Sequence, residues 1–484
     1  MTDGWVRLDD SFIDGAGMAD RAARAATGFA ALGVGPGDAV AWLLYNDAAA
    51  FTVTDGAGML GAYAVPVNWH LAPDEVRYIL ADSGAKALVG HPRLLAPLGK
   101  LEIPAIPLSE WPDWLAAHAP RTEPPLDPPG SMMYTSGTTG RPKGVRRQPA
   151  TPQQRETIAA FLTEIYGLQP GMVSAVTAPL YHAAPNNHAM MSRLAGGHLV
   201  LMRRFDAERF LALVEEHRIS HAFMAPIMFV RLLKLPEAVR ARYDLSSLCR
   251  VIHAGAPCAP DVKRAMIEWW GPVLVEYYGS TETGLVTWCD SGEWLQRPGT
   301  VGRTMRNAEI VIYGDDKQRL GPGETGDIYC VHRDLMPFTY HNDPEKRAGV
   351  EHEGLVTNGD MGYMDEAGYL FLNDRRRDMI ISGGVNIYPA EIEAALIECP
   401  GVRDCAVFGV PDDEYGERVA AAIEREPSSD CDEAAVGAFL AGRIAGYKHP
   451  RLVVFHASLP REDTGKIFKR KLREPYWVAA GRRI

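Results

Sequence analysis

Long apolar runs, excess positive charge and paired cysteines are all scarce in this chain. The longest apolar stretches, such as Ala39 to Tyr45, fall far short of the roughly 20 residues a membrane-spanning helix needs, so no membrane span is expected. Acidic residues outnumber basic ones by 61 to 50, a net charge of −11. That sign repels a polyphosphate backbone and argues against nucleic acid as a partner, while leaving room for a local basic pocket around one small anion. The seven cysteines (Cys249, Cys258, Cys289, Cys330, Cys399, Cys405, Cys431) are odd in number and contain no Cys-x-x-Cys pair, which fits a reducing compartment. The first ten residues carry acids where a signal peptide would carry a basic run, so a cytoplasmic protein is expected. Solenoid repeats and low-complexity tracts are absent as well.

What is present is an ordinary globular composition, 46% apolar and 23% charged over 484 residues, enough for roughly two to four structural units. Short β-branched runs alternate with longer amphipathic ones. Strands are predicted at Ala39–Leu44, Ala87–Val89, Val173–Ala178, His198–Met202, His221–Met224, Val251–His253 and Val273–Tyr277, with helices such as Asp206–Arg218 between them; this alternation predicts α/β layers. From Glu309 the strand signals come closer together (Glu309–Tyr313, Asp327–Val331, Tyr369–Asn373), which predicts a smaller β-rich subdomain. Pro120 to Gly130 holds five prolines in eleven residues and can be neither helix interior nor central strand. After Arg375-Arg376-Arg377-Asp378 the pattern restarts as strand, Gly-Gly turn, helix and strand, so a domain of residues 1–376 and a second of residues 377–484 are expected.

The densest chemical signal is Tyr134-Thr135-Ser136-Gly137-Thr138-Thr139-Gly140-Arg141-Pro142-Lys143-Gly144-Val145. Glycines let backbone N–H groups turn toward an anion, hydroxyls add donors, and Lys143 supplies a mobile point charge, so the loop reads as a phosphate cradle. It is not a mononucleotide P-loop, which needs Gly-Lys followed directly by Ser or Thr. In Tyr278-Gly279-Ser280-Thr281-Glu282-Thr283-Gly284, Tyr278 offers a flat face, Gly279 permits close approach and Glu282 can ligate a hard cation. A tyrosine alone is as readily core, and only its place in the motif favours binding. Asp360, after Gly359, reads as a carboxylate presented at a turn, able to accept two hydrogen bonds from a diol.

The first motif closely resembles the signature of the adenylate-forming superfamily, which includes acyl-CoA synthetases, aryl-CoA ligases, luciferases and peptide-synthetase adenylation domains. The segment 278–284 matches its second core motif, and Thr357-Asn358-Gly359-Asp360 its ribose motif, with Asn358 in place of the usual Thr. Asp374 to Glu393 looks like its hinge and following loop, and Leu459 to Ile467 is similar to its catalytic-lysine motif. The resemblance covers nearly the whole chain in the family's order. It implies an α/β fold with a large N-terminal domain of αβ subdomains plus a small β-barrel subdomain, and a small mobile α+β C-terminal domain.

The site residues it implies are as follows. ATP lies on Thr135, Ser136, Gly137, Thr138, Thr139, Gly140 and Lys143; its adenine meets Gly255, Ala256, Pro257, Tyr277, Tyr278 and Gly279; and its ribose meets Asp360 and Arg375. Thr281 lies near the α-phosphate and Glu282 holds magnesium. Lys466 bridges the substrate carboxylate and the α-phosphate, offsetting charge as carboxylate attacks phosphorus. Arg377 takes the pivot position, Gly383 and Gly384 line the coenzyme A tunnel, and His182 stands near the reacting carbonyl. Taken alone, His182 is more readily a structural histidine and Lys466 a solvated one.

The activity implied is ATP-dependent ligation of a carboxylic acid to coenzyme A through an acyl-adenylate, with pyrophosphate and then AMP released. The rivals are an amine or carrier-protein acceptor and a silent nucleotide- or acyl-binding relative. The candidate acyl-pocket segments Tyr181–His188, Phe223–Val230 and Leu285–Trp288 are largely apolar, favouring a fatty, aromatic or cyclic acid over acetate. The partners implied are the acid, ATP and coenzyme A, with a homodimer left open because oligomeric state is not readable from the sequence.

Overall fold

In the computed structural model, which describes residues 4–135, 142–256, 258–376, 378–382, 385–441, 443–461 and 467–480, the strands form four sheets. The largest has fourteen strands. One half is parallel: Val6–Leu8, His198–Leu201, Val173–Val176, His221–Met224, Arg250–His253 and Leu274–Ser280 lie side by side in that spatial order. The chain then reverses, and Gly284–Asp290, Thr300–Thr304, Tyr369–Arg375, Leu355–Met364, Gly326–His332 and Ala308–Tyr313 continue the sheet in antiparallel order. This second half curls so that Ala308–Tyr313 and Gly326–His332 approach Gly284–Asp290, the barrel-like β-rich subdomain expected from the closer strand spacing.

A second sheet, of four parallel strands, centres on Ala39–Leu43, flanked by Tyr63–Pro66, Ala85–Gly90 and Ala105–Pro107. Every residue of Ala39–Leu43 is buried, as an apolar run covered by helices on both faces requires. Phe29, Phe51 and Trp42 fill the core around it, each fully buried side chain of this kind stabilising by about 1.5–3 kcal/mol. A three-stranded sheet joins Met133–Thr135, Lys143–Arg147 and Phe338–Tyr340. The C-terminal domain has its own five-stranded sheet (Ile380–Ser382, Val385–Ile387, Val402–Asp412, Gly416–Arg425, Leu452–His456) and its own core of Ile380, Ile387, Ile392, Val407 and Ile423.

Local signals set the element ends. The helix Ala207–His217 begins where the Asp206 carboxylate accepts the Arg209 N–H, and it stops where Arg218 turns left-handed at φ 49°. Residues 120–130 adopt neither helix nor strand, and they run as an ordered loop in which the Leu126 N–H donates to the Met59 carbonyl. No described helix is long and apolar enough to cross a membrane.

Candidate active site

The motif residues gather where parallel strands of the large sheet end, the place where α/β sheets bind ligands because strand termini and loop backbones open into a crevice there. The strand Arg250–His253 leads through Ala254 to Gly255, exposed at φ +83°, and on to Ala256. The strand Leu274–Ser280 carries Tyr277, Tyr278 and Gly279 and runs into Thr281 and Glu282. At Gly279 only glycine fits, because a Cβ would stand 2.0 Å from the Gly284 carbonyl oxygen of the returning strand. The three-stranded sheet pairs Thr135 with Lys143, placing the two ends of the predicted phosphate loop side by side.

The turn after Gly279 is organised by Ser280. Its hydroxyl oxygen accepts the N–H groups of Glu282 (3.1 Å) and Thr283 (3.0 Å) and donates to Asn358 Oδ1 at 2.9 Å. Asn358, the departure from the usual Thr, thus ties the ribose motif to the second core motif. Glu282 Oε1 accepts the Tyr340 hydroxyl at 3.2 Å and the Thr135 hydroxyl at 3.4 Å. Burial, with the neighbouring Glu282 carboxylate, holds the Tyr340 phenol well above the ordinary tyrosine value, so it stays a donor. Lys143 forms an ion pair with Asp343 and lies 5.9 Å from the Tyr340 ring centre. Neither Tyr340 nor Asp343 carried a sequence signal, since each meets its partner only through folding.

Tyr278 is buried, one side against Val286, Val301, Ile328 and Leu370, and its hydroxyl donates to Asp360 Oδ2 at 2.8 Å. Burial first, and Asp360 second, push its phenol far above the ordinary range. Tyr277 is buried as well, with its phenol raised by burial and by Tyr166. Asp360 does not stand at a turn, as the sequence reading has it. It lies inside the strand Leu355–Met364 opposite Arg375, and the left-handed Gly359 (φ +75°) bends the strand just before it.

His182 is the residue before the helix Ala183–Leu194, half-buried, its ring 4.3 Å from that of Tyr181. The segment leading to it is fixed by the buried Asn46, which donates to the Ala178 (3.0 Å) and Met202 (2.9 Å) carbonyls and accepts the Leu180 N–H. Asn186 donates to the Leu180 carbonyl at 2.8 Å, and the buried His188 meets the Ser174 hydroxyl at 3.0 Å. Burial pulls the His188 imidazole down to about 3, so it is neutral. Of the apolar segments proposed for the acyl pocket, Met224, Met228, Phe229 and Val286 are core, whereas Ala183, Ala184, Leu285 and Trp288 remain half-exposed.

Beneath the adenine segment lies a buried ion pair. Lys263, on the helix Pro260–Trp270, reaches Glu276 Oε2 on the Tyr277–Tyr278 strand at 2.6 Å and lies 4.9 Å from the Trp294 ring centre. His253 Nε2 stands 3.6 Å from the same carboxylate oxygen, and burial, then Lys263, keep that imidazole neutral.

Ser136, Gly137, Thr138, Thr139, Gly140, Pro257, Arg377, Gly383, Gly384 and Lys466 lie outside the described residues, as does the side chain of Arg375. Their flanks are in place. Ser382 pairs with Val385 across the glycine pair, and Arg461 bridges to Ile467 across the segment that carries Lys466.

This arrangement agrees with what the chain is similar to. The AMP-binding enzyme family matches residues 10–338, and the AMP-binding enzyme C-terminal domain matches residues 391–466. The long-chain-fatty-acid–CoA ligase FadD13 of Mycobacterium tuberculosis is 34% identical over 469 residues, covering 94% of this chain and 91% of that protein. A feruloyl-CoA synthase of Amycolatopsis sp is 34% identical over 481 residues, covering 97% and 95%. The crystal structure of ATP-bound MatB from Rhodopseudomonas palustris superposes with a TM-score of 0.86 at 27% identity, covering 98% and 96% of the two chains. On the family match, the two relatives and the shared fold, the chain belongs to the AMP-binding enzymes, the adenylate-forming superfamily of acyl-CoA ligases.

Proposed function

We propose that this AMP-forming acyl-CoA ligase takes a fatty, aromatic or cyclic carboxylic acid, activates it with magnesium–ATP, and passes the acyl group to coenzyme A. The observation that carries the reading is the convergence of Lys143, Thr281, Glu282, Tyr278 and Asp360 around the end of the strand Leu274–Ser280, where the large sheet passes from parallel to antiparallel. The acid class is supported by the half-exposed Ala183 and Ala184, which follow His182, by the half-exposed Leu285 and Trp288 on the strand after the second core motif, and by relatives named for fatty and feruloyl substrates.

Each group has a task that its surroundings allow. Lys143 leaves Asp343 for the triphosphate, a stronger multiple acceptor. Asp360 turns from the Tyr278 hydroxyl to the ribose diol, with Arg375 beside it. The Glu282 carboxylate accepts the Thr135 and Tyr340 hydroxyls and makes no close ion pair among the described residues, a donor set that would suit a hard divalent ion. Magnesium there would neutralise charge on the phosphate oxygens. His182 orients the acid, and Lys466 sets its charge against the oxyanion that develops as the carboxylate attacks the α-phosphorus and pyrophosphate leaves. Residues 377–484 then rotate about Arg377, withdrawing Lys466 and bringing Gly383 and Gly384 against the pantetheine arm. The thiolate attacks the mixed anhydride and AMP departs.

The test is pyrophosphate and AMP release across a panel of fatty, aryl and cyclic acids, each with and without coenzyme A. Acid-dependent pyrophosphate with turnover that requires coenzyme A is expected. Turnover indifferent to coenzyme A would replace the thiol by an amine or carrier acceptor, and silence with every acid would favour a binding protein.

A further inference from the structure

Arg147 has no part in the motifs above, yet it is the residue on which three segments of the site close. It ends the strand Lys143–Arg147 that leaves the phosphate loop. Its guanidinium donates to the Thr281 carbonyl at 3.1 Å and the Glu282 carbonyl at 2.6 Å through Nη2, and to the Met336 carbonyl through Nη1. Met336 in turn precedes the strand Phe338–Tyr340, in which Phe338 pairs with Arg147 and Tyr340 supplies the hydroxyl on Glu282 Oε1. One side chain therefore grips the backbone of Glu282 and braces the strand that holds its carboxylate.

We infer that Arg147 is a positioning residue for adenylation, which sets the Thr281–Glu282 turn and Tyr340 so that the Glu282 carboxylate and the Thr281 hydroxyl meet magnesium–ATP in register. The inference deepens the functional reading above and rests on it. Its physical basis is the planar fork of the guanidinium, which satisfies three carbonyls from two directions at once. A lysine at this place reaches fewer of them, and an apolar side chain leaves all three to find water. The field contributes too, because a fixed positive charge behind the turn favours both the Glu282 carboxylate and an incoming polyphosphate. Arg147 acts through the backbone carbonyls of Thr281, Glu282 and Met336, so its effect falls on the step that needs the turn.

The experiment uses the full-length enzyme and the variants Arg147→Met and Arg147→Lys. Three quantities are followed: acid-dependent pyrophosphate release, thioester formation from supplied acyl-adenylate, and the extra melting-temperature shift that magnesium adds to that of ATP alone. For Arg147→Met the loss of charge-assisted hydrogen bonds lowers kcat for pyrophosphate release by roughly 10- to 100-fold. The KM for the acid stays within about 2-fold, thioester formation is spared, and the magnesium-dependent melting shift shrinks, because ground-state acid binding does not use the turn. Arg147→Lys falls between the two. Wild-type kcat together with a wild-type magnesium-dependent shift in Arg147→Met overturns the inference, as does an equal fall in both half-reactions. If Arg147→Met does not fold, Arg147→Lys decides by the same criteria. A wild-type enzyme that releases no pyrophosphate with any acid defeats the functional reading instead, and the melting shift still judges the clamp.

Discussion

Replacing Lys263 by methionine tests whether the buried pair under the adenine segment holds that segment in place. Lys263 is fully buried and Glu276 is 4% exposed, with Nζ and Oε2 2.6 Å apart. Methionine keeps most of the stem's volume but leaves a carboxylate with no cation against it; His253, the next polar group, is held neutral by burial. Stranding one member of a buried pair costs about 3–5 kcal/mol. In the native protein, burial already raises the Glu276 pKa while Lys263 opposes that rise. In Lys263→Met the opposition is gone, so the folded-state pKa rises further above the unfolded value.

A raised folded pKa means that the folded state binds the extra proton. Stability is then greatest below the unfolded pKa and is lost as the pH climbs through the folded one. Urea unfolding followed by tryptophan fluorescence at pH 5 and pH 8 is therefore expected to show a larger loss at pH 8. The double variant Lys263→Met with Glu276→Gln, which removes both charges, should regain much of the stability, because neutral groups of similar volume can replace a buried pair at little cost. A loss below about 1 kcal/mol, equal at the two pH values and additive in the double variant, would refute the reasoning.

Glu282→Gln removes the carboxylate charge from the turn and is expected to raise the magnesium concentration needed for half-maximal pyrophosphate release; an unchanged magnesium titration would take Glu282 out of the metal site. Lys466→Ala should lower adenylation by orders of magnitude while supplied acyl-adenylate is still converted to thioester, and equal loss of both steps would contradict its withdrawal after the first. Asp343→Asn keeps the oxygen that accepts the Lys346 N–H at 3.0 Å but removes the charge paired with Lys143. ATP binding measured by calorimetry should tighten roughly 2- to 5-fold, and unchanged affinity would mean that the lysine is not held back by its partner.

Much of the candidate site was legible in the chain before it folded, because the motifs are local. Thr135, Lys143, Thr281, Glu282 and Asp360 sit in short runs whose glycines and hydroxyls already limit what the backbone can do. The alternation of β-branched runs with amphipathic ones places seven of the parallel strands but not the short Val6–Leu8, Tyr63–Pro66 and Ala105–Pro107, and the close-spaced signals after Glu309 point to three strands of the curled antiparallel half. The family resemblance carried the residue roles further than spacing could.

The support of those residues was decided by tertiary structure. Asp343 meets Lys143 across a separation of 200 residues, Arg147 meets Glu282 across 135, and Asn46 meets Ala178 across 132. No local pattern encodes such pairs, since an arginine after Lys143-Gly144-Val145 reads as one more surface charge until three carbonyls close around it. Gly359 signals a bend, so the sequence points to a turn at Asp360, which the structure places inside the strand Leu355–Met364. The flanking strands instead continue the sheet through that bend, where hydrogen bonds to neighbours distant in sequence outweigh the local preference. Sequence by itself determined which groups are candidates for the chemistry, through residue type and short spacing. The fold decided which distant side chains hold them in position, because that depends on how strands far apart in the chain come to lie side by side.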